Sequence, residues 1–89
     1  MTLSENLEDY LEVVLLLCQR HGHAHVNEIA QMRGVKKPSA NSALNALKQR
    51  GLIQYEKYQP VTLTGAGLKI AEVILQKHRR LKEFFVRAV

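Results

Sequence analysis

This 89-residue sequence is short of several things, and each shortage closes an option. It has one cysteine, Cys18, so no internal disulfide can form and a reducing compartment is expected. No apolar run approaches the roughly 18 residues of a membrane span. The N-terminus lacks the basic start and cleavage pattern of a secretory signal, so a soluble, cytoplasmic protein with no membrane partner is expected. Prolines number two, Pro38 and Pro60, each where a missing N–H is dispensable. No nucleophile beside a base, phosphate-cradling loop or paired catalytic carboxylates can be read, so the expectation is no enzyme.

Charge is unevenly distributed. The net charge of +5 and pI near 9.7 suit a polyanionic partner. Residues 1–18 hold Glu5, Glu8, Asp9 and Glu12 but no Lys or Arg. The remainder carries 13 basic against 4 acidic residues, a balance of +9. An acidic opening joined to a basic body suggests two tasks, cation handling at one end and phosphate contact elsewhere.

The basic body centres on Val35 to Gly51, which contains no acidic residue. Pro38 sits in the first turn of a predicted helix and Gly51 just past its end. At about 3.6 residues per turn, Ala40, Ala43, Leu44 and Leu47 form an apolar stripe. The other side presents Pro38, Asn41, Ser42 and Asn45, with Ser39 to one side, small, neutral and rich in hydrogen-bonding groups. Lys36, Lys37, Lys48 and Arg50 flank it. Such a face can approach base edges while its lysines hold phosphates, which marks a recognition helix; an ordinary amphipathic helix is the alternative.

Before it, the pattern predicts a helix from about Ser4 to Arg20, capped by Thr2 or Ser4. Leu7, Tyr10, Leu11, Val14, Leu15 and Cys18 are its core face, with Cys18 structural. Glu5, Asp9 and Glu12 lie opposite, where solvation is the ordinary role. His21-Gly22-His23-Ala24-His25 is expected to be an extended loop without a specific metal site. Asn27 is the expected cap of a short helix, Glu28 to Arg33, whose Ile29, Ala30 and Met32 can pack, and Gly34 closes it. Two helices joined by a short turn, the second groove-reading, form a helix-turn-helix.

After it, Leu52–Glu56 and Val61–Leu63 read as a hairpin, a wing, with Lys57 and Tyr58 at a tip able to touch phosphates. Tyr55 either joins that contact or faces the core. A last helix follows Thr64-Gly65 and is expected to run to Val89, with room for a bend near Arg79-Arg80. Ile70, Ala71, Ile74, Leu75, Leu81 and Phe85 share its apolar side, and His78 projects among them. A titratable ring there is either a satisfied core histidine or a ligand facing the carboxylates of the first helix. Asp9 and Glu12, spaced i, i+3, offer oxygens in one direction; with one imidazole they make a hard-to-borderline site suited to Mn(II) or Fe(II).

Asn6-Leu7-Glu8-Asp9-Tyr10-Leu11-Glu12 resembles the opening of the diphtheria-toxin-repressor family of iron- and manganese-dependent regulators. Val35-Lys36-Lys37-Pro38-Ser39 resembles its approach to the recognition helix. Gly51-Leu52-Ile53-Gln54-Tyr55-Glu56 and Val61-Thr62-Leu63-Thr64-Gly65-Ala66-Gly67 resemble its wing and exit. Lys77-His78-Arg79 with Leu81 resembles the start of its dimerisation region. The resemblance implies that Asp9, Glu12 and His78 bind metal directly. Iron-type members tend to carry Met where Asp9 stands and manganese-type members Asp, so Mn(II) is expected, with Fe(II) the alternative. Further family ligands lie on a later helix, beyond Val89. Lys82 stands where a Glu of the second site would be, with Glu83 rotated by about 100°, so a second metal is not expected.

The expected fold is mainly α with a small β-hairpin. A winged helix-turn-helix over residues 1–63 is followed by a linker helix that starts a dimerisation region, 64–89, in a chain read as truncated. The expected function is a transcriptional repressor that binds double-stranded operator DNA with metal as corepressor, a homodimer in its full-length form. The alternatives are a winged-helix regulator without metal control and a winged-helix protein-interaction module. Lys36, Lys37, Pro38, Ser39, Asn41, Ser42, Asn45, Lys48, Lys57 and Tyr58 are the candidate DNA contacts.

Overall fold

In the computed structural model, residues 3–88 are described, with side chains as far as His78. Capping by Thr2 and the side chains of Leu81, Lys82, Glu83 and Phe85 therefore lie outside the described residues. Four helices and a two-stranded hairpin follow in the order α1 (Glu5–His21), α2 (Val26–Arg33), α3 (Lys37–Gln49), β1 (Ile53–Gln54), β2 (Thr62–Leu63) and α4 (Gly65–Ala88). This is the winged helix-turn-helix with a C-terminal helix that the sequence predicts.

Each helix of the head has a readable start and stop. Ser4 caps α1 by accepting the Leu7 N–H at 3.2 Å. Gly22, left-handed at φ 83°, closes it with its N–H on the Cys18 carbonyl. The helix α2 begins earlier than the sequence suggested: His25, not Asn27, is the N-cap. Glu28, three residues on, accepts the His25 N–H at 3.3 Å, while the His25 carbonyl takes the Ile29 N–H. The acidic side chain supplies the capping partner that decides the start. Lys36 caps α3, Pro38 lies in its first turn, and Gly51 at φ 74° turns the chain into the hairpin.

The core gathers Leu11, Val14 and Leu15 of α1, Ile29 of α2, Ala40, Leu44 and Leu47 of α3, with Leu52, Val61 and Ala71. The predicted stripe of α3 is buried in full. Elsewhere the packing departs from periodicity. Leu17 is buried although it lies off the expected face of α1, whereas Leu7 and Cys18 are only half-buried. Met32 is 49% exposed, because the short α2 commits only Ile29 and Ala30 to the interior.

The wing is narrower than expected. Ile53 pairs with Leu63 and Gln54 with Thr62, and no residue beyond Gln54 joins the ladder. The Gln59 N–H bonds to the Glu56 carbonyl at 3.0 Å, so the chain is already turning there. A separate antiparallel bridge joins Ala24 to Val61, with N–H···O distances of 3.0 and 2.6 Å. It ties the α1–α2 connector to the return strand.

The root of α4 is fixed by Thr64. Its hydroxyl donates to the Gly51 carbonyl at 2.7 Å and accepts the Gly67 N–H at 3.0 Å. Its own N–H bonds to the Leu52 carbonyl at 3.1 Å. From there α4 continues to Ala88 as one helix, with Ala71 and Ile74 buried against the head and Ile70 and Leu75 half-buried. Among the described residues no helix is long and apolar enough to cross a membrane.

Candidate nucleic-acid interface and candidate metal centre

The outward face of α3 follows from how the helix is anchored. Burial of Ala40, Ala43, Leu44 and Leu47 turns the opposite side outward. Lys36, Lys37, Pro38, Ser39, Ser42, Asn45 and Lys48 are all exposed, and Asn41 is half-buried at the edge of that face. Beside it lies the wing tip, where Tyr58 adopts φ 66° and is 91% exposed. The Lys57 ammonium lies 5.1 Å from the Tyr58 ring centroid, within cation–π range. Between α3 and the wing is an open cleft of about 410 Å³, lined by Lys37, Asn41, Tyr55, Lys57 and Tyr58, with His25 and Asn27 at the start of α2.

Two of the candidate contacts are engaged within the protein. Tyr55 packs half-buried against the core, the second of its two expected places, and its hydroxyl donates to Asn41 Oδ1. The next residue, Glu56, accepts the Lys48 ammonium at 3.0 Å. Neither pairing was foreseen. Each joins α3 to the hairpin region across a turn, Tyr55 lying 14 positions after Asn41 and Glu56 8 positions after Lys48, separations without local periodic signal.

The second cluster lies where α1 crosses α4. Packing of Leu11 and Leu15 on one side and of Ala71 and Ile74 on the other brings Glu12 and His78 together, with His78 Nδ1 in contact with Glu12 Oε2. The bond spans 66 residues of sequence, and both side chains stay partly open to solvent. Asp9, one turn earlier on α1, is not part of this contact. Its Oδ2 lies 3.7 Å from Arg33 Nη1. Arg33 Nη2 also donates to Asn6 Oδ1 at 3.3 Å, and the guanidinium stands 5.1 Å from the Tyr10 ring centroid. Arg33 Nε is buried and finds no hydrogen-bond partner among the described residues. Among the described residues, no three His, Cys, Asp or Glu side chains gather around one point.

A carboxylate oxygen and an imidazole nitrogen already in contact are the donor types of a hard-to-borderline divalent ion. A single end-on contact at 3.7 Å, not a bidentate fork, ties Asp9 to a guanidinium that itself keeps an unpaired N–H. Asp9, Glu12 and His78 therefore fit such an ion in donor chemistry, with Asp9 the one that has to change partner. Arg33 was missed by the sequence reading because its role depends on α2 folding back onto α1.

The histidine segment holds a different arrangement. His21 Nε2 is 3.8 Å from Glu28 Oε2, and the His23 and His25 rings meet edge to face with centroids 4.8 Å apart. Cys18 is half-buried, with Sγ toward the Val61 carbonyl, and burial raises its pKa.

Comparison with known proteins places the fold and the family. The sequence model described as "Iron dependent repressor, N-terminal DNA binding domain" matches residues 2–61. The HTH-type transcriptional regulator MntR of Lysinibacillus sphaericus is 34% identical over 79 residues, 89% of this chain and 57% of that protein. The MntR of Oceanobacillus iheyensis is likewise 34% identical, over 89% of this chain and 54% of that protein. The chain thus spans a little over half the length of these relatives. Among solved structures, the Staphylococcus aureus MepR–DNA complex superposes with a TM-score of 0.77 at 22% identity, covering 98% of this chain and 65% of that one. A MarR family protein from Bacillus stearothermophilus gives 0.72 at 16% identity, over 90% and 56%. At such identities these two structures speak for the winged-helix fold alone. The family match and the two relatives decide the lineage that the acidic opening, the Lys-Lys-Pro-Ser entrance and His78 resembled: the chain belongs to the iron-dependent repressor family, whose N-terminal DNA-binding domain occupies residues 2–61.

Proposed function

We propose that this chain is the DNA-binding head of a metal-dependent transcriptional repressor, with Mn(II) as corepressor and Fe(II) as the alternative. The observation that carries the proposal is the contact between Glu12 of α1 and His78 of α4, behind a helix-turn-helix whose outer face is small and polar. On this reading α3 enters the major groove with Pro38, Ser39, Asn41, Ser42 and Asn45. Lys36, Lys37 and Lys48, with Lys57 and Tyr58 of the wing, contact phosphates. Residues 1–63 are the head, and 64–89 link it to a dimerisation region, which would place two heads at the spacing of two half-sites. The expected compartment is the cytoplasm.

Asp9, Glu12 and His78 are the residues that would hold the metal. A bound divalent ion would supply positive charge between the two carboxylates and the imidazole. Without metal, the direct contact of Glu12 with His78 holds α4 against α1. To serve as a ligand Asp9 would have to give up its contact with Arg33, whose guanidinium would keep its contacts with Asn6 and Tyr10. Metal control requires the loaded arrangement of α1 and α4 to bind DNA better than the unloaded one, since an effector shifts only an equilibrium whose two states it distinguishes.

A regulator without metal control is the second reading, favoured by the pairing of Asp9 with Arg33. Binding of duplex DNA by the intact protein, measured with Mn(II) and after chelation, separates the two. We expect tighter binding with Mn(II) and loss of that gain in His78→Ala. Equal affinity in both conditions removes the metal and leaves the DNA-binding head.

A further inference from the structure

The side-chain amide of Asn41 is directed by the wing. Asn41 sits on α3 at the border between the buried stripe and the exposed polar face, lining the cleft that also holds Tyr55, Lys57 and Tyr58. Its Oδ1 accepts the Tyr55 hydroxyl. The Tyr55 ring is half-buried against the core and follows directly on β1, where Ile53 is buried and paired with Leu63. The hydroxyl is therefore delivered from a fixed ring rather than from the mobile end of a long side chain. Glu56 holds Lys48 on the same helix two turns further on, so the wing clasps α3 at two points along its length.

An asparagine that reads adenine in the major groove uses both ends of its amide, Oδ1 accepting from N6 and Nδ2 donating to N7. The Tyr55 hydroxyl takes one of the two lone pairs of Oδ1 and holds that end of the amide toward the wing, which leaves the Nδ2 end to lead toward other partners. A guanine edge offers two acceptors and no donor, so an amide presented by its Nδ2 end matches it at either atom, whereas on adenine that end finds an acceptor only at N7 and meets the N6 amine donor to donor. We propose that Tyr55 is a specificity-determining positioning residue, which orients the Asn41 amide so that its base pair is read as guanine in preference to adenine. The inference rests on the reading of α3 as the groove-reading helix.

The test is selection from duplexes with a randomised central segment by the intact protein, followed by competition among the four base pairs at each selected position. Wild type should prefer guanine at the position that Asn41→Ala relaxes. Tyr55→Phe keeps the ring and removes the hydroxyl; it should shift that one position toward adenine by about tenfold, leaving non-specific affinity and its salt dependence unchanged. Asn41→Asp retains the acceptor for Tyr55 but lacks the donor, and should exchange guanine for cytosine, so a poorly folding Tyr55→Phe does not stall the test. Adenine preferred by wild type, a Tyr55→Phe protein with unchanged preference, or an Asn41→Asp protein that still selects guanine overturns the role of Tyr55. If Asn41→Ala relaxes no position while Asn45→Ala does, α3 still reads the groove and only this inference falls. If neither changes any preference, the groove-reading assignment itself is lost.

Discussion

At Gly67 the absence of a side chain decides where α4 can begin. A Cβ built there would stand 1.8 Å from the Leu52 carbonyl oxygen and 2.7 Å from its carbon, both backbone atoms. Neither can move aside without breaking the bond from the Thr64 N–H to the Leu52 carbonyl. Gly67→Ala should therefore destabilise the fold by about 3 kcal/mol, at the upper end of overpacking costs, read as a lowered urea midpoint with an unchanged slope. A midpoint equal to wild type would mean that α4 does not lie this close to β1. In the sequence Gly67 is one of three small residues after Thr64, and nothing in the spacing distinguishes it from Gly65, around which a Cβ meets nothing. The nearness of Glu12 to His78 was legible because charge on a helix face and a ring on an apolar stripe are periodic signals, whereas Asp9, expected beside them, faces Arg33. Arg33 itself was not legible: its partners Asn6, Asp9 and Tyr10 reach it only after α2 has folded back onto α1.

Elements were easier to read than their margins. The stripe of α3, its Pro38 and its terminal Gly51 predict both its extent and its buried face, because propensity, pattern and punctuation agree. The start of α2 was misplaced because Asn27 looks like a better cap than His25; Glu28 reverses that order by accepting the His25 N–H. The hairpin was overestimated because Tyr55 and Glu56 look like strand residues, yet both are taken up by α3. On the proposed reading, the Lys48–Glu56 pair makes Lys48 exchange a carboxylate for a phosphate when DNA binds. Glu56→Gln removes that competitor, and an exposed pair of this kind is worth at most about 1 kcal/mol. Affinity for any duplex should rise by about threefold, within that bound, without change in sequence preference. A fluorescence titration against two unrelated duplexes checks it, and a gain confined to one of them would assign Lys48 to base reading instead.

For the whole molecule the separation of charge, acidic over residues 1–18 and basic thereafter, anticipates a division of labour that the proposed function keeps. Metal held between α1 and α4 would add a link between the first and last helices, so its effect belongs to global stability. At a free Mn(II) concentration about 100 times Kd the gain is about 2.7 kcal/mol, which for a domain of this size raises Tm by about 10 °C or more. Scanning calorimetry of the intact protein should show that rise. His78→Ala should abolish it, and Arg33→Gln should reach it at lower Mn(II), because Asp9 no longer has to leave a guanidinium. No rise in wild type at any Mn(II) concentration would dissociate the Glu12–His78 contact from metal binding.

The three bonds at Thr64 set how direction is handed on through this protein. One residue fastens the end of the recognition helix, the start of the wing and the first turn of the long exit helix, which leaves no swivel at that junction. The 24-residue α4 is about 36 Å long at about 1.5 Å per residue, so it acts as a lever arm with a welded shoulder. A tilt of about 5° at its far end sweeps the opposite end through about 3 Å, close to one base-pair step, and the head turns with it as a single piece.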